Sequence, residues 1–210
     1  MSSVEAKSED VNDMKLKIVQ VGEKVLRKKA RELSKEEILS SEILNLIDLM
    51  KETMRDAPGV GLAAPQIGMP YQLAVIEDPE DYLSKIPPEK LKEKMRAPVP
   101  FHVIINPKLT IIDEKAEDFF EGCLSCGQYM GAVKRALRVR VDCLNEKAEP
   151  ITIEAEGWYA RILQHEIDHL QGTLFLDKVD TRTLMTVDNY SKYWARKSTK
   201  DVKEELSLLP

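Results

Sequence analysis

His165, Glu166 and His169 form the pattern H-E-I-D-H, which takes two of only three histidines in the chain. On a helix of 3.6 residues per turn, positions i and i+4 point the same way, so both imidazoles reach one cation while Glu166 lies beside them. The chemistry of such a group is metal-assisted hydrolysis, in which two nitrogens hold a divalent ion and a carboxylate moves a proton. A third protein ligand is needed. Gly172 follows His169 at the spacing of the longer zinc-protease motif, but the next ligand position holds Phe175, and the carboxylates Asp177 and Glu204 have no supporting motif. Upstream, Cys123 in E-G-C-L-S (121–125) is the better candidate, because a thiolate binds divalent ions strongly. Cys123 and Cys126 also make C-x-x-C, which is open to a redox pair or half of a Cys-only metal site, whereas Cys143 reads as core. An endopeptidase of the H-E-x-x-H class, and a fold that binds metal or peptide without turnover, stand as alternatives on these residues.

A helix must carry the two histidines, and the stretch W-Y-A-R-I-L-Q-H-E-I-D-H-L-Q-G supplies it, opened by Gly157 and closed by Gly172. Ser34 and Glu37 fit a capping box, after which Leu39, Ile43, Leu46, Ile47, Met50 and Met54 predict one amphipathic helix ending before Pro58. K-L-K-I-V-Q-V-G predicts a short strand ending at Gly22. Q-L-A-V-I (72–76) reads as a buried strand, and residues 77–98, charged and broken by prolines, as a solvated excursion with a short helix. H-V-I-I-N (102–106), K-L-T-I-I (108–112) and L-R-V-R-V-D-C-L (137–144) predict further strands. In the last, Leu137, Val139, Val141 and Cys143 face one way and Arg138, Arg140 and Asp142 the other. I-T-I-E-A (151–155) returns as its hairpin partner. The absence of regular strand–helix alternation argues an α+β fold, with mostly antiparallel strands around a central helix carrying H-E-x-x-H. Residues 1–13 read as a disordered leader, 14–190 as a single catalytic domain and 191–210 as a C-terminal tail that can be helical.

With 210 residues, 43% hydrophobic and 32% charged, the composition excludes collagen-like and wholly disordered chains. Lys and Arg total 31 against 36 Asp and Glu, so no global footprint for DNA exists. No apolar run approaches the roughly 20 residues of a membrane span, and neither a secretory signal nor an Arg-rich transit peptide shows. Three cysteines suit a reducing compartment.

G-V-G-L-A-A-P-Q (59–66), E-G-C-L-S (121–125) and Q-H-E-I-D-H (164–169), in this order and at these separations, resemble the three signature motifs of peptide deformylases. The resemblance runs from about Met14 to Val187, and G-L-A-A-P-Q-I-G, the excursion and G-W-Y-A-R-I-L-Q-H-E resemble the mitochondrial-type branch. It implies that Cys123, His165 and His169 hold one divalent metal ion per subunit, natively Fe(II), with Zn(II), Co(II) or Ni(II) able to take its place. It implies that Glu166 is the general base and acid, and that the Gln66 amide and the Leu124 N–H meet the oxyanion. Val60, Gly61 and Gly122 would contact the peptide backbone, while Trp158, Arg161 and Ile162 line the methionine pocket and Glu121 supports the site. The implied substrates are N-formylmethionyl nascent peptides, with formate released. The implied location is intracellular, mitochondrial where a presequence precedes the chain and otherwise cytoplasmic. Arg196, Lys197 and Lys200 would allow a transient contact with ribosomal RNA. The sequence departs from the family after E-G-C-L-S, where Cys126-Gly127-Gln128-Tyr129-Met130 replaces the usual apolar residue and proline. An exposed Cys126 could join Cys123 in a disulfide and expel the metal.

Overall fold

A computed structural model describes residues 15–206, and the leader expected at 1–13 lies outside them. Ser34 caps as its spacing predicts, its Oγ accepting from the Glu37 N–H while the Glu37 carboxylate accepts from the Ser34 N–H. The helix it starts is short (α1, Lys35–Ile38), because Ser40 caps again and opens a second (α2, Ser41–Asp56). The one helix expected from Ser34 to Met54 is therefore two, and Leu39, at the break, is exposed rather than core. α2 buries Ile43, Leu46, Ile47, Met50 and Met54, side chains worth about 1.5–3 kcal/mol each when fully removed from water.

Eight strands follow in chain order: β1 (Gly61–Ala63), β2 (Leu73–Asp78), β3 (Val99–Ile111), β4 (Ala116–Gly122), β5 (Tyr129–Ala136), β6 (Arg138–Leu144), β7 (Pro150–Glu156) and β8 (Met185–Thr186). Between β2 and β3 lie α3 (Glu80–Leu83) and α4 (Pro88–Glu93). After β7 come α5 (Gly157–Leu170), α6 (Val187–Asn189), a π-helical turn (Tyr190–Trp194) and α7 (Thr199–Glu205). The strands make a five-stranded sheet of order β1-β2-β3-β6-β7 and a three-stranded one of order β4-β5-β8, with every pairing antiparallel.

β2 shows how the larger sheet is covered on both faces. Successive side chains point to opposite sides: Leu73 and Val75 join α2 in one core, and Ala74 and Ile76 join α5 in another. α5 then faces the smaller sheet as well, where the Arg161 guanidinium donates to the carbonyls of Glu117, Phe119 and Val133. Antiparallel strands surrounding the H-E-x-x-H helix make the α+β architecture that the sequence predicts.

Three further expectations change. Residues 15–20 form no strand; the Val19 N–H donates to the Gln66 carbonyl at 2.8 Å and the Val21 N–H to the Ser125 carbonyl at 2.7 Å. The strands expected at 102–106 and 108–112 are one, β3, whose register against β6 shifts between Ile105 and Lys108, beside Asn106 at φ 51°. The excursion is anchored rather than merely solvated. Asp78 is fully buried and accepts from Arg96 at 2.7 and 2.8 Å. Gly157 has φ +59°, and a Cβ there would lie 2.5–2.7 Å from Met95 Cβ and the carbonyl oxygens of Lys94 and Met95, so the excursion sits hard against the start of α5. Lys90 Nζ donates to the Lys197 carbonyl at 2.7 Å, tying the same excursion to the C-terminal stretch.

Candidate active site

One turn of α5 separates His165 from His169, and their rings meet edge to face with centroids 5.0 Å apart. Cys123 arrives from the loop between β4 and β5, with its Sγ 3.2 Å from His169 Nε2. The thiol and one nitrogen of each ring all lie within 4.8 Å of one another. That donor set fits one divalent cation in tetrahedral coordination, three protein ligands leaving a fourth position open. The histidine orientation fits too: His165 Nδ1 is 3.2 Å from Glu121 Oε1, and a ring that donates there keeps its Nε2 lone pair for a metal.

Glu121, at the end of β4, is buried at the centre of a charge network. It accepts from Arg135 Nε at 2.9 Å and Nη2 at 2.6 Å, and from Arg161 Nη1 at 3.0 Å. Arg135 also reaches Asp168 Oδ2 at 2.8 Å, and Lys178 binds the other Asp168 oxygen at 2.7 Å. Burial alone would raise the Glu121 pKa, but hydrogen bonds from His165 and Arg135 outweigh it and hold the carboxyl well below the usual range. Glu166 has the opposite balance. Burial pushes its carboxyl up to about 7 against the opposing pull of His165 and Arg135, and its Oε2 has no hydrogen-bond partner among the described residues.

Gly61 in β1 makes room for that carboxylate, since a Cβ there would collide with the Glu166 side chain, with Cγ at 2.8 Å. Gly61→Ala should therefore displace Glu166 and cost about 100-fold in turnover, read as kcat with the metal content unchanged. Gln66 is held in a 3-10 turn (Ala64–Ile67), its Oε1 accepting from the Ala63 N–H at 2.8 Å. Its Nε2 is thereby turned toward Ser125 Oγ at 3.3 Å and Cys123 Sγ at 3.6 Å.

These groups open on a cavity of about 690 Å³ whose lining includes every site residue read from the sequence except the buried His169. Val60, Gly61, Gly122 and Leu124 are on its wall, with Trp158, Arg161 and Ile162 along the α5 side. The Arg161 head is fully engaged by Glu121 and three carbonyls, so it braces α5 against β4 and β5. The sequence reading missed four contributors. Gln20 Nε2 donates to the Leu124 carbonyl at 3.0 Å while its Oε1 accepts from the Gly127 N–H at 3.1 Å, clamping the cysteine loop. Arg135 serves Glu121, and Lys94 and Tyr190 line the cavity. Only the charge of Arg135, alternating out of an apolar run in β5, was a signal in the sequence itself.

Cys126 is buried rather than exposed, its N–H donating to the Cys123 carbonyl at 3.0 Å, and each thiol shifts the other's proton affinity. An oxidant must therefore enter from the cavity side, where Cys123 is accessible. Treating metal-depleted protein with hydrogen peroxide should form the Cys123–Cys126 disulfide as the peroxide is reduced to water. Thiol titration would then fall from three groups to one, and a titre that stays at three would sink the idea.

Residues 15–184 match the family model of polypeptide deformylase. The chloroplastic peptide deformylase 1A of Solanum lycopersicum is 47% identical over 172 residues, covering 82% of this chain and 62% of its own length. The mitochondrial peptide deformylase of Homo sapiens is 37% identical over 179 residues, covering 85% of this chain and 72% of its own. The chain thus spans under two thirds of the tomato relative. A class I type b peptide deformylase from Acinetobacter baumannii, solved with Met-Ala-Ser bound, superposes with a TM-score of 0.70 at 30% identity, over 79% of this chain and 99% of that one. A family match across the span that holds Gln66, Cys123 and the α5 histidines, on a backbone that superposes with solved members, leaves one assignment: the chain belongs to the polypeptide deformylase family.

Proposed function

We propose that the protein is a metal-dependent hydrolase that removes the formyl group from the N-terminal formyl-methionine of newly synthesised polypeptides, releasing formate. The observation that carries this reading is the buried Glu166 carboxylate, unpartnered at Oε2 and set over Gly61 beside the Cys123, His165 and His169 cluster. A divalent cation held by those three side chains would acidify water and polarise the formyl oxygen; Fe(II) is the native ion in this proposal, with Zn(II), Co(II) or Ni(II) as substitutes. Glu166 takes the proton of the attacking water and returns it to the amine nitrogen as the C–N bond breaks. The Gln66 amide, pre-aimed by its bond from Ala63, and the Leu124 N–H donate to the oxyanion that forms on the formyl group. Val60, Gly61 and Gly122 line the wall on which an extended peptide would lie, β1 and β4 being edge strands of their sheets. Trp158, Arg161 and Ile162 bound the space for the methionine side chain.

The proposal includes a catalytic domain at 14–190 and action on nascent chains. A ribosome contact through the basic C-terminal stretch would compete with internal pairs, since Lys197 binds Glu205 and Lys200 lies 3.8 Å from Glu204. No helix among the described residues is long and apolar enough to cross a membrane. The organellar names of the plant and human relatives point to an organelle, and fractionation of the source cells tests that. The activity is tested by formate release from formyl-Met-Ala-Ser under anaerobic conditions, before and after chelation. Activity should vanish on chelation and return with Fe(II). A fully loaded protein that releases no formate overturns the reading.

A further inference from the structure

Lys94 takes no part in the reaction above, yet it lines the same cavity. It stands at the C-cap of α4, held against Gly157 by the backbone contact already described. Its Nζ lies 4.4 Å from the centre of the Trp158 ring and 6.0 Å from that of Phe119. Two more cations share that indole, Arg96 at 5.2 Å and Arg161 at 6.0 Å. Their charges are answered by Asp78 and Glu121, whereas Lys94 forms no ion pair among the described residues.

From His165 back to Trp158 the cavity follows α5 for two turns, about 10 Å of helix. Its far end therefore holds the Lys94 ammonium, which has no acceptor among the described residues, over the face of the Trp158 ring. A methionine thioether offers it little, because its sulfur is a weak acceptor. An oxygen on that sulfur would offer a strong one, and oxidation of methionine to the sulfoxide supplies it.

Resting on the deformylase reading, we propose that Lys94 is a specificity-determining residue which lets the first-residue pocket hold methionine sulfoxide as well as methionine. The ammonium donates to the sulfoxide oxygen at the end of the pocket. Burial beside Arg96 and Arg161 lowers the Lys94 pKa to about 8, which leaves it mostly protonated at neutral pH.

The test compares formyl-Met-Ala-Ser with its sulfoxide form in the wild type, Lys94→Met and Lys94→Arg, and measures binding of the two deformylated tripeptides by tryptophan fluorescence. In the wild type the sulfoxide should cost less than about tenfold in kcat/KM, and Lys94→Met should widen that penalty about ten- to hundredfold. The change should fall on KM rather than kcat, and Lys94→Arg should keep most of the wild-type ratio. The tripeptide affinities should show the same widening. A sulfoxide ratio unchanged in Lys94→Met overturns the proposal. Were neither formyl peptide to release formate, the deformylase reading would fail, and the tripeptide affinities alone would then decide the role of Lys94.

Discussion

Glu166→Gln should lower formate release by about 10²–10⁴-fold, the usual worth of a positioned acid–base group, while the protein keeps its fold and its metal. Glutamine matches the carboxylate in shape, so the fit over Gly61 is preserved. It cannot take a proton from water or return one to the leaving amine. The carboxyl is 4% exposed, and burial pushes its pKa up to about 7, close to where a group that must both accept and donate works best. Removing a buried acid that lacks a full set of partners should not lower the melting temperature. Metal content by elemental analysis, kcat on formyl-Met-Ala-Ser and a thermal melt together separate the outcomes. Turnover within tenfold of wild type, with metal bound, would show that the proton travels by another group.

Glu121→Ala should damage the protein as much as the site. The carboxylate is 6% exposed and answers two arginines, Arg135 and Arg161, themselves 4% and 3% exposed. Asp168 still holds one arm of Arg135, but Arg161 is left with carbonyls alone. Breaking one side of a buried pair costs about 3–5 kcal/mol, because an uncompensated charge stays behind. At about 2–4 °C per kcal/mol for a domain of this size, the melting temperature should fall by roughly 6–20 °C. Because His165 loses its partner, metal affinity should also drop about 10- to 100-fold. The two effects are separable: a melt of metal-free protein reads the network alone, and competition with a chelator reads the ligand. An unchanged melt would mean that the arginines find other partners, and an unchanged affinity that His165 is oriented by its helix.

The helix that carries His165 and His169 was legible because its signal is local. His165 and His169 are four apart, and that spacing means one face only on a helix. Cys123 could be nominated from ligand chemistry and placed by resemblance, while β6 and β7 announced themselves by period-2 alternation on either side of a turn. What stayed hidden depends on partners far along the chain. Gln20 looks like any polar residue until the cysteine loop, 104 residues later, is folded against it. The 15–20 run alternates like a strand, but with two loops as its partners it never enters a sheet. Lys94 sits in a segment whose charges and prolines read as solvent-facing, and only the glycine at 157 lets that segment close on the cavity. Ser40 was readable in type as a cap, yet the apolar spacing continues across it and masks the break.

The clamp on the cysteine loop also says when the site can exist. Gln20 and Val21 hold the loop from the start of the described chain, while Val187 bonds Gln128 and the Tyr190 ring packs at a tilt against Phe120 near its end. Contacts so distant in sequence form slowly, because the loops they close must lose their entropy first. During synthesis, residues 187–190 leave the ribosome after all three ligand residues, so the β4–β5 loop stays without its second wall until the segment beyond α5 has emerged. Competence to bind metal and peptide then follows the docking of that segment, and chains that stop before Val187 should carry all three ligands yet hold the cation loosely.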